Sequence, residues 1–132
     1  MMLRVLYIED NEDNIFLFTR RLGKRGYEVL IARDGAHGLA MAKSERPSVI
    51  LMDLDLPVVD GWEATRLLKA SPETGHIPVI AVSSYAMHDD RQRAIEAGCS
   101  DFFSKPVDMN ALCTKIDALG RSVSDLSPNE SD

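Results

Sequence analysis

Val49-Ile50-Leu51-Met52-Asp53 is an unbroken apolar run that stops at a carboxylate, and Leu54-Asp55-Leu56-Pro57 follows it. An apolar run of this length, opening on two β-branched residues, reads as a strand buried on both faces, as in a parallel sheet covered by helices. Open α/β sheets bind their ligands just beyond the carboxyl ends of the strands. Asp53 therefore stands where such a sheet does chemistry. The same boundary recurs along the chain. Leu6-Tyr7-Ile8 runs into Glu9-Asp10, Val79-Ile80-Ala81-Val82 into Ser83-Ser84, and Asp101-Phe102-Phe103-Ser104 into Lys105-Pro106.

Working outward, strands are expected over 4–9, 27–32, 48–53, 77–82 and 101–104, with helical periodicity between them. The first helix, 11–25, carries Ile15, Phe18 and Leu22 on one face and stops at Gly26. Asp34 caps the second, which turns Leu39 and Ala40 inward and ends before Pro47. Pro57 and Gly61 mark a loop, and the third helix covers about 62–70. The fourth covers about 88–97 with Gly98 as its terminator. Asp108 caps the fifth, whose inner face is Leu112, Ile116 and Leu119 and whose stop is Gly120. Strands alternating with helices in this way imply a doubly wound α/β domain with right-handed crossovers. Periodicity leaves the strand order open. Residues 1–120 read as one domain, and 121–132 as a polar, disordered tail.

Composition narrows the function. Of 132 residues, 45% are hydrophobic and 27% charged, as in a soluble globular domain. A net charge of −6 argues against binding nucleic acid or an anionic membrane through the whole surface. No apolar run approaches the roughly 20 residues of a membrane span, and Met1-Met2-Leu3-Arg4 shows no signal-peptide pattern, so a cytoplasmic location is expected. Cys99 and Cys113 form no CxxC pair and read as small buried hydrophobes in a reducing compartment. His37, His76 and His88 lack metal-ligand spacing and read as surface residues.

Glu9, Asp10 and Asp53 bring three carboxylates to strand ends of one sheet. Converging negative charges repel unless a cation or protons relieve them. Oxygen ligands with room for water suit Mg²⁺, with Mn²⁺ as a substitute. An ionised aspartate is also a competent nucleophile toward phosphorus, giving an acyl phosphate. Phosphoryl transfer needs positioning and charge neutralisation more than covalent help. Lys105 supplies a positive point charge, and the Ser83 hydroxyl a hydrogen bond to a phosphoryl oxygen. Each residue alone has a plainer reading. Glu9-Asp10 favours a helix start, Asp53 caps a loop, Ser83 sits in a turn and Lys105 is solvated. The set carries the inference.

In order and at strand ends, these residues resemble the receiver domain of bacterial two-component response regulators. The resemblance covers residues 4 to about 119. It runs through Glu9-Asp10, Asp53 with Leu56-Pro57 and Asp60-Gly61, Pro78 to Ser83, Gly98-Cys99 and Lys105-Pro106. It implies a flavodoxin-like fold with strand order 2-1-3-4-5. It implies that Asp53 accepts a phosphoryl group from a phosphohistidine on a sensor histidine kinase or histidine phosphotransfer protein. Glu9, Asp10, Asp53 and the backbone carbonyl of Asp55 would hold Mg²⁺. Ser83 and Lys105 would contact the phosphoryl group, and Lys105-Pro106 would be the family's cis peptide. Phe102 takes the position of the switch aromatic, often tyrosine. Ser83 replaces the commoner threonine, and Ser84 stands where alanine or glycine is common. Asp55 and Tyr85 occupy the positions that tune phosphoryl lifetime. The implied output is a downstream protein that reads the surface of helix four, strand five and helix five.

On this reading the chain catalyses its own phosphorylation and dephosphorylation rather than turning over a separate substrate, and it is of the stand-alone type. Two other readings compete. Asp53-Leu54-Asp55 matches the DxD motif of haloacid-dehalogenase-like phosphatases, but there DxD lies on an early strand and the further acids follow it. A receiver-like adapter acting without phosphorylation would not need the complete set of site residues.

Overall fold

The apolar runs form the strands. A computed structural model of the chain describes residues 2–54, 61–84 and 88–125. Its elements are β1 (Arg4–Ile8), α1 (Glu12–Lys24), β2 (Glu28–Ala32), α2 (Gly35–Glu45), β3 (Val49–Asp53), α3 (Gly61–Ala70), β4 (Val79–Ser83), α4 (His88–Ala97), β5 (Asp101–Ser104) and α5 (Met109–Asp125). The strands are parallel and lie in the order β2-β1-β3-β4-β5. The implied doubly wound fold is therefore present.

Side-chain alternation along the strands feeds two apolar layers. Leu6, Ile8, Ile50, Met52, Ala81 and Phe102 face one layer, closed by Ala42 of α2, Ala64 and Leu68 of α3 and Ala94 of α4. Val5, Tyr7, Val49, Leu51, Ile80 and Val82 face the other, closed by Phe18 and Leu22 of α1 and Leu112, Cys113 and Ile116 of α5. Every residue of β3 and β4 is buried, which is why those runs show no polar alternation. Each large aliphatic side chain buried in this way stabilises the fold by roughly 1.5–3 kcal/mol.

Helix boundaries follow local chemistry. The Asn11 side chain accepts the Asn14 amide at 2.9 Å and starts α1, and Asp34 accepts the His37 amide at 2.7 Å and starts α2. The Asp108 carboxylate accepts the Ala111 amide at 3.2 Å and starts α5. Gly98, at φ 113°, ends α4 as expected. Both cysteines are buried, and burial pushes the Cys99 thiol up to about 11. His37 and His76 are exposed.

Two expectations are corrected. Leu39 packs half-buried against the core as expected, but Ala40 is exposed, and α2 buries Gly35, Gly38 and Ala42. A Cβ on Gly38 would lie 2.4 Å from the Ile8 side chain, so this helix approaches the sheet through its smallest residues rather than its largest. Gly120 does not stop α5, which continues through Asp125 into the stretch read as tail. Gly120 is instead buried where a Cβ would meet the Leu3 side chain at 2.9 Å. It is a close-approach glycine inside a helix, at a cost of about 1 kcal/mol in helix propensity. Residues 126–132 lie outside the described residues.

Candidate functional site

In this strand order β2 and β3 lie on opposite sides of β1, and a crevice opens between the ends of β1 and β3. Glu9 and Asp10 leave the end of β1, and Asp53 is the last residue of β3. One carboxylate oxygen from each lies within 4.8 Å of the other two. Glu9 and Asp53 are buried, and Asp10 is exposed at the mouth. The three acids read from the sequence are thus brought together.

Lys105 follows β5 and reaches across to them. Its ammonium is 3.3 Å from Glu9 Oε1 and 3.4 Å from Asp53 Oδ1. The Lys105-Pro106 peptide is cis. The Lys105 amide donates to the Ser83 carbonyl at 2.8 Å, tying the ends of β4 and β5 together. Ser83 is buried and stands one residue beyond Val82, the register partner of Asp53. Phe102 is also buried, so the candidate switch aromatic is already inward here. By alternation Ser83, like Ala81 and Phe102, belongs to the face covered by α3 and α4. Asp55 and Tyr85 lie outside the described residues.

Helix α3 begins against Asp53. A Cβ on Gly61 would lie 2.5 Å from Leu54 Cα and 2.6 Å from the Asp53 carbonyl oxygen. Periodicity marked Gly61 as a loop residue; its role is close backbone approach.

Two residues that sequence reasoning missed hold Glu9. The Tyr7 hydroxyl donates to Glu9 Oε1 at 2.9 Å, and the Asn14 amide donates to the same oxygen at 3.0 Å. The Asp10 and Asn11 backbone amides approach Glu9 Oε2 at 3.2 and 3.5 Å. Burial pushes the Glu9 carboxyl up. Its hydrogen-bonding contact with Asp53, the Lys105 charge and the donors Tyr7 and Asn14 outweigh this and hold it below its ordinary value. Burial, and then the nearby Glu9 charge, push the Tyr7 hydroxyl far up, so it stays a donor. An all-oxygen cluster with buried members, an exposed mouth and one adjacent lysine fits a hard divalent cation beside an anionic phosphoryl group.

The family profile described as the response regulator receiver domain matches residues 5–117. The chain belongs to that family. Receiver domains work in two-component signalling with sensor histidine kinases, and this one shares their fold. The polar-differentiation response regulator DivK of Brucella anthropi is 45% identical over 103 residues, 78% of this chain and 84% of that protein. The DivK of Brucella ovis is 43% identical over 107 residues, 81% and 87% of the two chains. The receiver domain of a sensor histidine kinase from Pseudomonas aeruginosa PAO1, solved with magnesium coordinated in its active-site cleft, superposes with a TM-score of 0.84 at 32% identity. That match covers 91% of this chain and 98% of that one. The receiver domain of a histidine kinase from Syntrophus aciditrophicus gives 0.86 at 27% identity, covering 96% of each chain. Membership in this family sets aside the haloacid-dehalogenase reading. No helix among the described residues is long and apolar enough to cross a membrane.

Proposed function

We propose that this receiver domain takes a phosphoryl group from a phosphohistidine onto Asp53 and uses it to switch a protein-binding surface. The observation that carries the reading is the junction of Glu9, Asp10 and Asp53 with Lys105 at the crevice between β1 and β3. An Asp53 carboxylate oxygen attacks phosphorus as the bond to the donor imidazole nitrogen breaks. That nitrogen leaves with the electron pair. Lys105, held near Asp53, is placed to follow charge onto the phosphoryl oxygens, and the Ser83 hydroxyl to donate to one of them. Glu9, Asp10, Asp53 and the Asp55 carbonyl would hold Mg²⁺, which supplies charge neutralisation for the transferred group.

On this reading the donor, a histidine kinase or histidine phosphotransfer protein, approaches past α1. A groove of about 490 Å³, bordered by Asn14, Leu17, Arg21, Lys105 and Met109, runs from α1 to the β5–α5 connection. Phe16 and Leu17 are 66% and 41% exposed beside it, and Arg20, Arg21, Lys24 and Arg25 make a cationic patch on a chain of net charge −6. Incubation with acetyl phosphate and Mg²⁺ is expected to add one phosphoryl group per chain by intact mass. Multiple turnover of a phosphomonoester without a stoichiometric adduct would reject the reading.

On the output side, Arg91 of α4 donates to the Phe102 carbonyl at 3.4 Å and pairs with Asp101 at 3.3 Å, and Lys115 of α5 lies 3.6 Å from the same carboxylate. These contacts join α4, β5 and α5 into one surface for a downstream protein. Phosphorylation can bias that surface only through groups that meet the phosphoryl differently in two states. Ser83 and Lys105 are such groups, and on this reading Phe102 fills the space that Ser83 vacates when it is drawn to the phosphoryl group. Ser83→Ala is expected to keep Asp53 labelling while amide NMR shifts around α4 and β5 shrink to about half or less. Full-sized shifts in the variant would remove Ser83 from the switch.

A further inference from the structure

Tyr7 and Glu9 sit two residues apart at the end of β1, so alternation places both on the α1/α5 side of the sheet. Tyr7 is wholly buried, and its ring stacks on Phe18 with centroids 4.5 Å apart. That stack fixes the ring, and the ring fixes the hydroxyl 2.9 Å from Glu9 Oε1. Among the donors to this oxygen, Asn14 comes from the first turn of α1 and Lys105 from beyond β5. Lys105 is also shared with Asp53, and on the reading above it turns toward the phosphoryl group. The Tyr7 hydroxyl has no such second task among its described contacts.

We infer that Tyr7 is a positioning residue for the metal site, whose hydroxyl pins the Glu9 carboxylate within the acidic cluster that would hold a divalent cation. Glu9 carries one more rotatable bond than an aspartate, and losing that freedom on binding would weaken the site. A donor fixed from the core removes the freedom in advance. The inference rests on the metal-binding reading proposed above.

Mn²⁺ binding followed by electron paramagnetic resonance tests it, with Tyr7→Phe retaining the ring and its stack on Phe18. Wild type is expected to bind Mn²⁺ and Asp10→Ala to lose most of that affinity. Tyr7→Phe is expected to bind about tenfold more weakly, the lower end for loss of a hydrogen bond behind a metal ligand. In acetyl phosphate labelling, the Mg²⁺ concentration for half-maximal rate should rise by the same factor, while the rate at saturating Mg²⁺ stays within about twofold. Phe18→Leu, which keeps the hydroxyl but removes the stack, should shift affinity less than Tyr7→Phe. Equal Mn²⁺ affinity in Tyr7→Phe and wild type would overturn the role of Tyr7 and leave the metal site standing. Absence of Mn²⁺ binding in wild type would overturn both. A fall in the saturating rate with unchanged affinity would also reject a metal-positioning role.

Discussion

Asp53→Asn is expected to abolish phosphorylation by acetyl phosphate or by a phosphohistidine donor, with no adduct detectable by intact mass. The amide keeps the shape of the side chain but has no lone pair nucleophilic enough at pH 7 to displace a phosphoryl leaving group. Glu9 and Asp10 remain in place, so the cluster keeps part of its charge. Metal affinity should therefore fall less than reactivity does. The distinction matters because three carboxylates share the crevice, and each is a conceivable acceptor. Asp10 is exposed at the mouth, and the Glu9 carboxylate is already held by Tyr7, Asn14 and two backbone amides. Asp53 closes a central strand beside β4, and its carboxylate has Lys105 3.4 Å away to follow the transferred charge. Labelling of Asp53→Asn at the wild-type rate, with peptide mapping to Asp10 or Glu9, would move the chemistry to the end of β1.

Gly61→Ala is expected to damage stability and function together. The added Cβ would lie 2.5 Å from Leu54 Cα and 2.6 Å from the Asp53 carbonyl oxygen. Backbone atoms cannot rotate out of the way as a side chain can. Either α3 withdraws or the end of β3 moves, at about 1–3 kcal/mol for overpacking of this kind. A misplacement of about 1 Å at a reacting group can cost about 10²-fold in rate, so labelling of Asp53 should slow by at least about tenfold. Gly23→Ala is the control. Nothing lies within 4 Å of a Cβ there, and the position is inside α1. That substitution should stabilise by about 1 kcal/mol through helix propensity and leave labelling unchanged. Urea unfolding and the labelling rate separate the two. Wild-type stability and rate in Gly61→Ala would show that the close approach is dispensable.

Strands buried on both faces were legible because burial removes polar residues from the run, so Val49 to Met52 and Val79 to Val82 announce themselves. Their terminal residues were legible for the opposite reason, since a carboxylate or hydroxyl ending such a run has little structural need to be there. Asp53, Glu9 and Ser83 are accordingly found buried at the ends of their strands. Tyr7 was hidden because an aromatic in a strand is ordinary, and its hydroxyl acquires meaning only once Glu9 is known to face the same side. Asn14 was hidden because its contact depends on how α1 enters from its Asn11 cap. The inner face of α2 was read only in part, through Leu39, because the reading followed bulk. The closest approach is at Gly38 against Ile8, and a glycine leaves no apolar signature. Gly120 was misread for the same reason. A glycine that ends a helix and one that admits a neighbour look alike in sequence, and only Leu3 distinguishes them.

Trp62, the sole tryptophan of the chain, stands beside Gly61 at the start of α3, and the Arg93 guanidinium of α4 lies over its ring at 4.4 Å. Indole emission responds to charge near the ring. The fluorophore thus sits between the element that abuts the Asp53 carbonyl and the helix that borders the output surface. Displacement of α4 relative to α3 would lift the cation off the indole and change the emission, so the indole is an intrinsic, label-free optical gauge of the α3–α4 spacing.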